Sequence, residues 1–167
     1  NTPDPDGGII GRNADGSLTG YLEETAFTSN SSVIKQPDYD DMKKLIKSAE
    51  NIYFKYGITT VQDGFTGEKE WMLLKKLSED NPFTADVVSY IDINNCKDIL
   101  SKEKQYNKNY INNLKIGGYK LFLDGSPQGR TAWMTQPYEN DVNYCGYPIY
   151  SDSQVLEFVK QSVMEQQ

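Results

Sequence analysis

The chain has 167 residues, of which 37% are hydrophobic and 12% aromatic, enough for one core in a single domain or a large part of one. It carries 24 acidic and 17 basic residues, and the net charge of −7 disfavours nucleic acid or an anionic membrane surface as a partner. The sequence contains no histidine, so a mechanism confined to this chain lacks the commonest metal ligand and the usual acid–base group near neutral pH.

No run of apolar residues is long enough for a membrane helix, and the first residues show no basic-then-apolar signal pattern. We therefore expect a soluble protein, placed in the cytoplasm. Because the first residue is Asn1, we also expect the sequence to begin within a longer chain. Cys96 and Cys145 lie far apart without a C-x-x-C pair, which is typical of ordinary thiols.

Residues 1–36 are interpreted as an insertion or loop segment, because their first 20 residues are rich in Asp, Pro and Gly. A short hairpin is predicted around Ile9-Ile10, with its turn at Asp15-Gly16. The three-and-four spacing of apolar residues predicts a helix from Pro37 to Tyr56, capped by Gly57.

Strands and helices then alternate. We predict a strand over residues 58–62 that closes in an Asp63-Gly64 turn, a helix over 68–77 and a strand over 85–91. A polar helix over 96–104 and a strand over 119–123 follow, with an ordered loop of some two dozen residues beyond them. Ser151 and Gln154 form a capping box for a last helix. The order predicts an α/β fold of parallel units, with 37–167 as part of a β/α barrel.

Lys120 lies within the predicted third strand. Alternation places Tyr119 and Leu123 on one face and Lys120, Phe122 and Asp124 on the other. In a barrel the apolar face meets the helices, which leaves Lys120 facing inward near the carboxyl end, where barrel enzymes hold their sites. The alternative is a lysine on the solvated face of an edge strand. An inward ammonium has to be paired, neutralised or modified, because burying a bare charge is costly.

Three blocks carry a resemblance to a known family. They are T-P-D-P-D-G-G-I-I-G-R-N-A-D-G-S-L-T-G-Y-L-E-E-T-A, Y-G-I-T-T-V-Q-D-G and Y-K-L-F-L-D-G-S-P-Q-G-R-T-A-W-M-T-Q-P-Y, in that order. Together the blocks resemble the YtcJ-like branch of the amidohydrolase superfamily. The resemblance implies a (β/α)₈ TIM barrel, of which this chain would be an internal fragment covering about strands two to four and a preceding insertion.

The resemblance also implies a metal site. Family members bind one or two divalent metals, usually zinc, through histidines, an aspartate and a lysine on the fourth strand. Lys120 matches that lysine, which is expected to be carboxylated and to bridge the metals. A metal-activated water would then attack an amide-type C–N bond of a small molecule. The other ligands and the catalytic aspartate would lie outside this chain, so the fragment alone is expected to be inactive.

Asp124, Arg130 and Trp133 belong to the same family block and are predicted to bind substrate. Arg130 could clamp an anionic group of the substrate. The alternative for Arg130 is a structural pair with Asp124 or a neighbouring carboxylate of the loop. For the aromatic residues of the loop, the alternative is packing.

Two other functions stay open at this stage. The protein could be a non-catalytic regulatory or binding relative of the amidohydrolases, or its 12 Tyr and two Trp residues could form a carbohydrate-binding surface. Since three strands of eight would leave open sheet edges, we also expect the isolated chain to self-associate through them.

Overall fold

A computed structural model describes residues 2–5, 8–28 and 37–166. The chain divides into two compact units, Asn1–Leu45 and Ile46–Gln167. The predicted domain boundary after residue 36 adjoins residues 29–36, which lie outside the described residues, and it stays a prediction.

The first unit contains an antiparallel hairpin of β1 (Gly8–Arg12) and β2 (Leu18–Glu24), in which Ile10 pairs with Leu22. A short helix, α1 (Thr25–Thr28), follows. Gly16 occupies the turn with a φ of 81°, a conformation that glycine adopts at little cost. The predicted hairpin and turn are confirmed.

The second unit is built on a parallel three-stranded sheet, and helices connect its strands. The elements from the helix that crosses the unit boundary onward are α2 (Tyr39–Lys55), β3 (Thr60–Thr66), α3 (Glu68–Asp80), β4 (Asp86–Asp92), α4 (Asp98–Lys102), β5 (Leu114–Lys120) and α5 (Asp152–Met164). The strand order is β3-β4-β5. The predicted α/β class with parallel strands is confirmed, and closure into an eight-stranded barrel stays a prediction.

Helix α2 ends in a backbone motif that the sequence signalled. Gly57 has a φ of 73°, its N–H donates to the carbonyl of Phe54, and the N–H of Ile58 donates to that of Tyr53. This pair of bonds is a Schellman motif, which satisfies the last carbonyls of a helix. The predicted Gly57 cap is confirmed, and the helix begins at Tyr39, two residues after the predicted start at Pro37.

Strand β3 runs further than predicted. Asp63-Gly64 lies inside the strand, so the predicted turn there is wrong. Pairing with β4 continues from Asp63, opposite Ser89, to Thr66, opposite Ile91, and the extra residue on β3 forms a bulge. The buried hydroxyl of Thr66 donates to Asp63 Oδ2 at 2.9 Å, which satisfies the polar groups at the bulge locally.

Strand β5 covers Leu114–Lys120, so the prediction of a strand over 119–123 is wrong beyond Lys120. The earlier part of the strand was not predicted because it contains Lys115, Gly117 and Gly118, and these residue types are depleted in strands. Gly117 has a packing reason: a Cβ there would lie 2.6 Å from Val88 Cγ1 and 3.1 Å from the Tyr90 ring. The close approach of β4 side chains therefore requires glycine.

The core lies between the sheet and its helices. It includes Ile91, Leu114 and Ile116 from the strands and Trp71 from α3, all buried. The Trp71 ring meets the ring of Tyr106 edge to face at 5.2 Å. The predicted helix over 96–104 is shorter in the structure, where α4 ends at Lys102 and a 3₁₀ turn spans Lys104–Tyr106.

Helix α5 begins as predicted. Ser151 and Gln154 form the complete capping box, each side chain bonding to the backbone of the other residue. The segment between β5 and α5 is held by backbone bonds such as Met134 N–H to Cys145 O at 2.7 Å. The prediction of an ordered loop is confirmed for this segment.

Candidate functional site at the carboxyl ends of the strands

The three parallel strands end at one edge of the sheet, at Thr66, Asp92 and Lys120. The register pairs Ile91 with Tyr119 and Asp92 with Lys120, so Tyr119 and Lys120 point to opposite sides. The Tyr119 hydroxyl donates to Glu165, just after α5, which marks that side as the helix side. Lys120 therefore faces away from the helices, as its place in the sequence predicted.

The surroundings of Lys120 are aromatic. Its Nζ lies 4.6 Å from the centre of the Phe122 ring, a cation–π contact. Within the described residues, Lys120 takes part in no salt bridge. Lys115, four pairs earlier along the same face of β5, has a similar contact, with its Nζ 4.3 Å from the Tyr110 ring. An ammonium without a carboxylate partner is available for modification or for a ligand.

Phe65 extends this aromatic environment. Its ring centre lies 4.8 Å from that of Phe122, and about two fifths of each residue is exposed (44% and 43%). Phe65 lies in the bulged part of β3, and bulges commonly redirect side chains at the edges of sheets. The two rings and Lys120 thus form one cluster at the carboxyl ends.

The predicted substrate-binding residues lie in the segment after β5 rather than in the strand. Asp124 Oδ2 accepts a hydrogen bond from the Trp133 backbone N–H at 2.9 Å, which fixes the start of the loop against its middle. Arg130 lies 3.4 Å from Asp141 and stacks over the rings of Tyr138 and Tyr144. This is the structural pairing kept as an alternative for Arg130. The predicted binding roles of Asp124, Arg130 and Trp133 stay predictions.

A cavity of about 330 Å³ opens between this loop and the start of α5. Among the residues that line it are Leu123, Asp124, Trp133, Tyr150, Asp152 and Val155. Burial raises the pKa of the Tyr150 hydroxyl, and the charge of Asp92 adds to that effect. Tyr150 therefore stays a protonated phenol at neutral pH. A second groove of about 330 Å³, lined by residues such as Ile46, Tyr53 and Leu74, lies on the helix side, away from Lys120.

A metal centre needs several donor groups close together in space. No group of three or more Cys, Asp or Glu side chains that could hold a metal occurs in the described part of the chain, and the sequence supplies no histidine. Lys120 can contribute at most one ligand. The described residues by themselves therefore do not fit a complete metal centre. None of the helices in the described ranges is both long and apolar enough to cross a membrane, and the cytoplasmic location stays a prediction.

The fold resembles those of two solved hydrolases. An uncharacterised metal-dependent hydrolase from Pyrococcus furiosus matches with a TM-score of 0.69 and 26% identity, over 89% of this chain and 32% of that chain. One from Pyrococcus horikoshii matches with a TM-score of 0.70 and 23% identity, over 94% and 33%. The second likeness shows the fold alone. The fold of this chain is thus similar to one part of the fold of metal-dependent hydrolases.

The sequence profile of the amidohydrolase family matches residues 1–164, and the chain belongs to this family. YtcJ of Bacillus subtilis, a protein assigned as an amidohydrolase, is 25% identical over 97% of this chain and 31% of its own length. LONG AFTER FAR-RED 3 of Arabidopsis thaliana is 26% identical over 94% and 29%. The chain spans about a third of the length of these relatives. The predicted family resemblance is confirmed.

Sequence reasoning missed Phe65, Tyr150 and Asp152 as residues near the site. Alternation did place Phe122 on the side of Lys120, although the strand ends before it. Phe65 gave no signal, because the predicted Asp63-Gly64 turn placed it outside any strand. Asp152 directly follows the capping Ser151, where an acidic residue is typical of a helix start and gives no signal of a cavity.

Proposed function

We propose that the protein carrying this chain is a metal-dependent hydrolase of an amide-type C–N bond in a small molecule. Lys120 is the ligand that this chain contributes. The observation that carries the proposal is the position of Lys120, at the carboxyl end of β5 and turned from the helices, in a member of the amidohydrolase family. A divalent metal, with zinc preferred, would supply an activated water when bound.

The chemistry of the lysine supports carboxylation. In the described residues the Lys120 amine has an aromatic ring beside it and no carboxylate within salt-bridge distance. After the ammonium loses a proton to solvent, its neutral amine can add CO₂ and release a second proton, which leaves an anionic carbamate on a long arm, the type of oxygen ligand that divalent metals accept. Since Lys120 is one candidate ligand and not a set, we infer that the chain alone is inactive.

The substrate side of the site rests on the loop after β5. Asp124 holds the backbone at Trp133, and the exposed Trp133 ring lines the adjoining cavity. Arg130 stands in the same loop, but its pairing with Asp141 has to open before it can clamp an anion. We propose that Trp133 contacts substrate directly and that Asp124 positions it.

A second candidate is a non-catalytic relative of the amidohydrolases. One observation favours it: the plant protein LONG AFTER FAR-RED 3, which is not named for an enzymatic activity, is as similar to this chain as YtcJ is, at 26% and 25% identity. Such a protein would keep the fold and lack metal-dependent hydrolysis.

The test uses the full-length protein supplied with zinc and ¹³C-labelled bicarbonate. We expect a carbamate signal in the ¹³C NMR spectrum, bound metal and hydrolysis of amide substrates, all lost in K120A. K115A is the matched control, because Lys115 shares the strand, the face and a ring contact, and it should keep all three. Retention of metal and carbamate in K120A would refute the role of Lys120. A metal-free wild type without the signal would favour the non-catalytic relative.

A further inference from the structure

The cavity beside the loop after β5 has the size and the wall chemistry of a ligand site. Its volume of about 330 Å³ lies within the range of small-molecule pockets. Trp133 and Leu123 each leave more than half of their surface exposed, at 59% and 51%. Large apolar side chains that stand open in a concave site are more informative than ones scattered singly over a surface.

Separate contacts fix the walls of this cavity. The backbone N–H of Trp133 is bound by Asp124, and the carbonyl of Leu123 accepts from Ile149 N–H at 2.9 Å. The ring of Tyr150 packs edge to face on Phe158 of α5, at 5.2 Å between centres. The capping box of Ser151 holds the turn that carries Asp152. The cavity is therefore largely pre-formed.

The charges at the cavity have one sign. Asp124 and Asp152 line it, and its lining includes no basic residue among the described ones. A helix start ordinarily favours an anion, but Asp152 occupies the first position of α5 and already supplies that negative charge. One oxygen of Asp124 is used by Trp133. An exposed indole next to two carboxylates attracts an organic cation by cation–π and Coulomb attraction together.

We propose that this cavity binds a primary ammonium or guanidinium group on an apolar stem, and that this group is part of the substrate. The stem would lie against Trp133, Leu123 and Val155, and the cation would lie between the indole and Asp152. The second half of the proposal rests on the proposed hydrolase function, because the cavity begins three residues after Lys120.

The test is calorimetric binding to the full-length protein of two probes, N-acetyl-lysinamide and N-acetyl-norleucinamide, which share a four-carbon stem and differ in the ammonium. We expect the lysine probe to bind about tenfold more tightly. D152N should remove this preference and leave the norleucine probe unchanged. D98N is the matched control, since Asp98 also begins a helix but lies outside the cavity, and it should change neither affinity. W133A should weaken both probes, and W133F should restore most of the binding.

Equal affinity for the two probes, no binding of either one, or a preference that survives D152N would overturn the proposal. The carbamate and metal measurements on Lys120 are independent of these affinities. Selective binding without a carbamate or metal would therefore refute the hydrolase while keeping the cation site. Carbamate, metal and hydrolysis without selective binding would refute the cation site alone.

Discussion

The rings of Phe65 and Phe122 contact each other at 4.8 Å between centres with an interplanar angle of 55°, although one lies in β3 and the other follows β5, and these strands are not neighbours. Phe65 belongs to β3 and Phe122 follows β5, and β4 lies between these strands in the sheet. The pair therefore joins the two outer strands across the end of the middle one, beside Lys120.

This relationship predicts an energetic coupling between the two rings. We expect F65A and F122A each to lower the free energy of unfolding, and the double variant to lose about 1 kcal/mol less than the sum of the two. Urea unfolding of the four proteins gives the coupling. Y56A removes an exposed ring just after α2, in the same unit, and should be additive with F122A. Additive losses for the Phe65–Phe122 pair would contradict the contact.

Glu50 is a buried carboxylate that joins α2 to the start of β4. Its Oε1 accepts the backbone N–H groups of Thr84 at 2.6 Å and Ala85 at 2.9 Å. We expect E50A to lower the free energy of unfolding by about 2 kcal/mol, because the buried N–H of Ala85 and the partly buried N–H of Thr84 lose their acceptor. E50Q keeps an oxygen in place and should lose less. Equal losses in the two variants, measured by urea unfolding, would show that packing rather than these bonds matters.

The stabilisation that Glu50 provides is also expected to depend on pH. Burial acts to raise the pKa of Glu50, but the hydrogen bonds from Ala85, Lys47 and Thr84 outweigh it and hold the pKa below its usual value. The contribution of Glu50 to the free energy of unfolding is thus fully present above the ordinary carboxyl pKa of about 4.3. It is lost as the pH falls through the lower pKa that Glu50 has in the folded state. The stability difference between wild type and E50Q, followed by unfolding from pH 7 to 3, should shrink at the acid end. A constant difference would contradict the assignment.

The stabilisation that Tyr119 provides is expected to have the opposite dependence on pH. Burial, together with the hydrogen bond to Glu165, raises the pKa of its hydroxyl. Its contribution to the free energy of unfolding is therefore fully present below the unfolded-state pKa of about 10. It declines as the pH rises through the pKa that the hydroxyl has in the folded state. We expect Y119F to be about 1 kcal/mol less stable than wild type at neutral pH and the difference to shrink above pH of about 10. Y56F, at a largely exposed tyrosine, should show no such change.

The two outer strands differ in how open their edges are. Asn107 forms a parallel bridge with Ile116 of β5, whereas the outer edge of β3 has no strand partner among the described residues. We propose that the isolated chain pairs with a second copy through β3. Light scattering should report a dimer or larger species for the isolated chain. The Q62K substitution, which places a charge on β3, should shift the self-association equilibrium toward the monomer. A wild-type monomer at high concentration would refute this.

Local signals in the sequence correctly predicted those helix ends that depend only on residues close together in the chain. Gly57 and the Ser151 capping box ended one helix and began another where expected, since both depend on residues a few positions apart. The bounds of β3 and β5 could not be predicted in this way. Asp63-Gly64 is a turn signal until β4 pairs with it, and Gly117 weakens a strand until Val88 and Tyr90 occupy the space above it. The contact of Phe65 with Phe122 depends on the same non-local pairing, and the cavity at Trp133 depends on how the loop after β5 packs against the start of α5.

Gly117 lies three residues before Lys120, on the side where Val88 and Tyr90 pack. Every other amino acid would place a Cβ 2.6 Å from a methyl group of Val88, so any replacement forces Val88 or the strands themselves to shift. Because Gly117 has no side chain, Val88 and Tyr90 pack directly against the backbone of β5, shortly before the strand reaches Lys120.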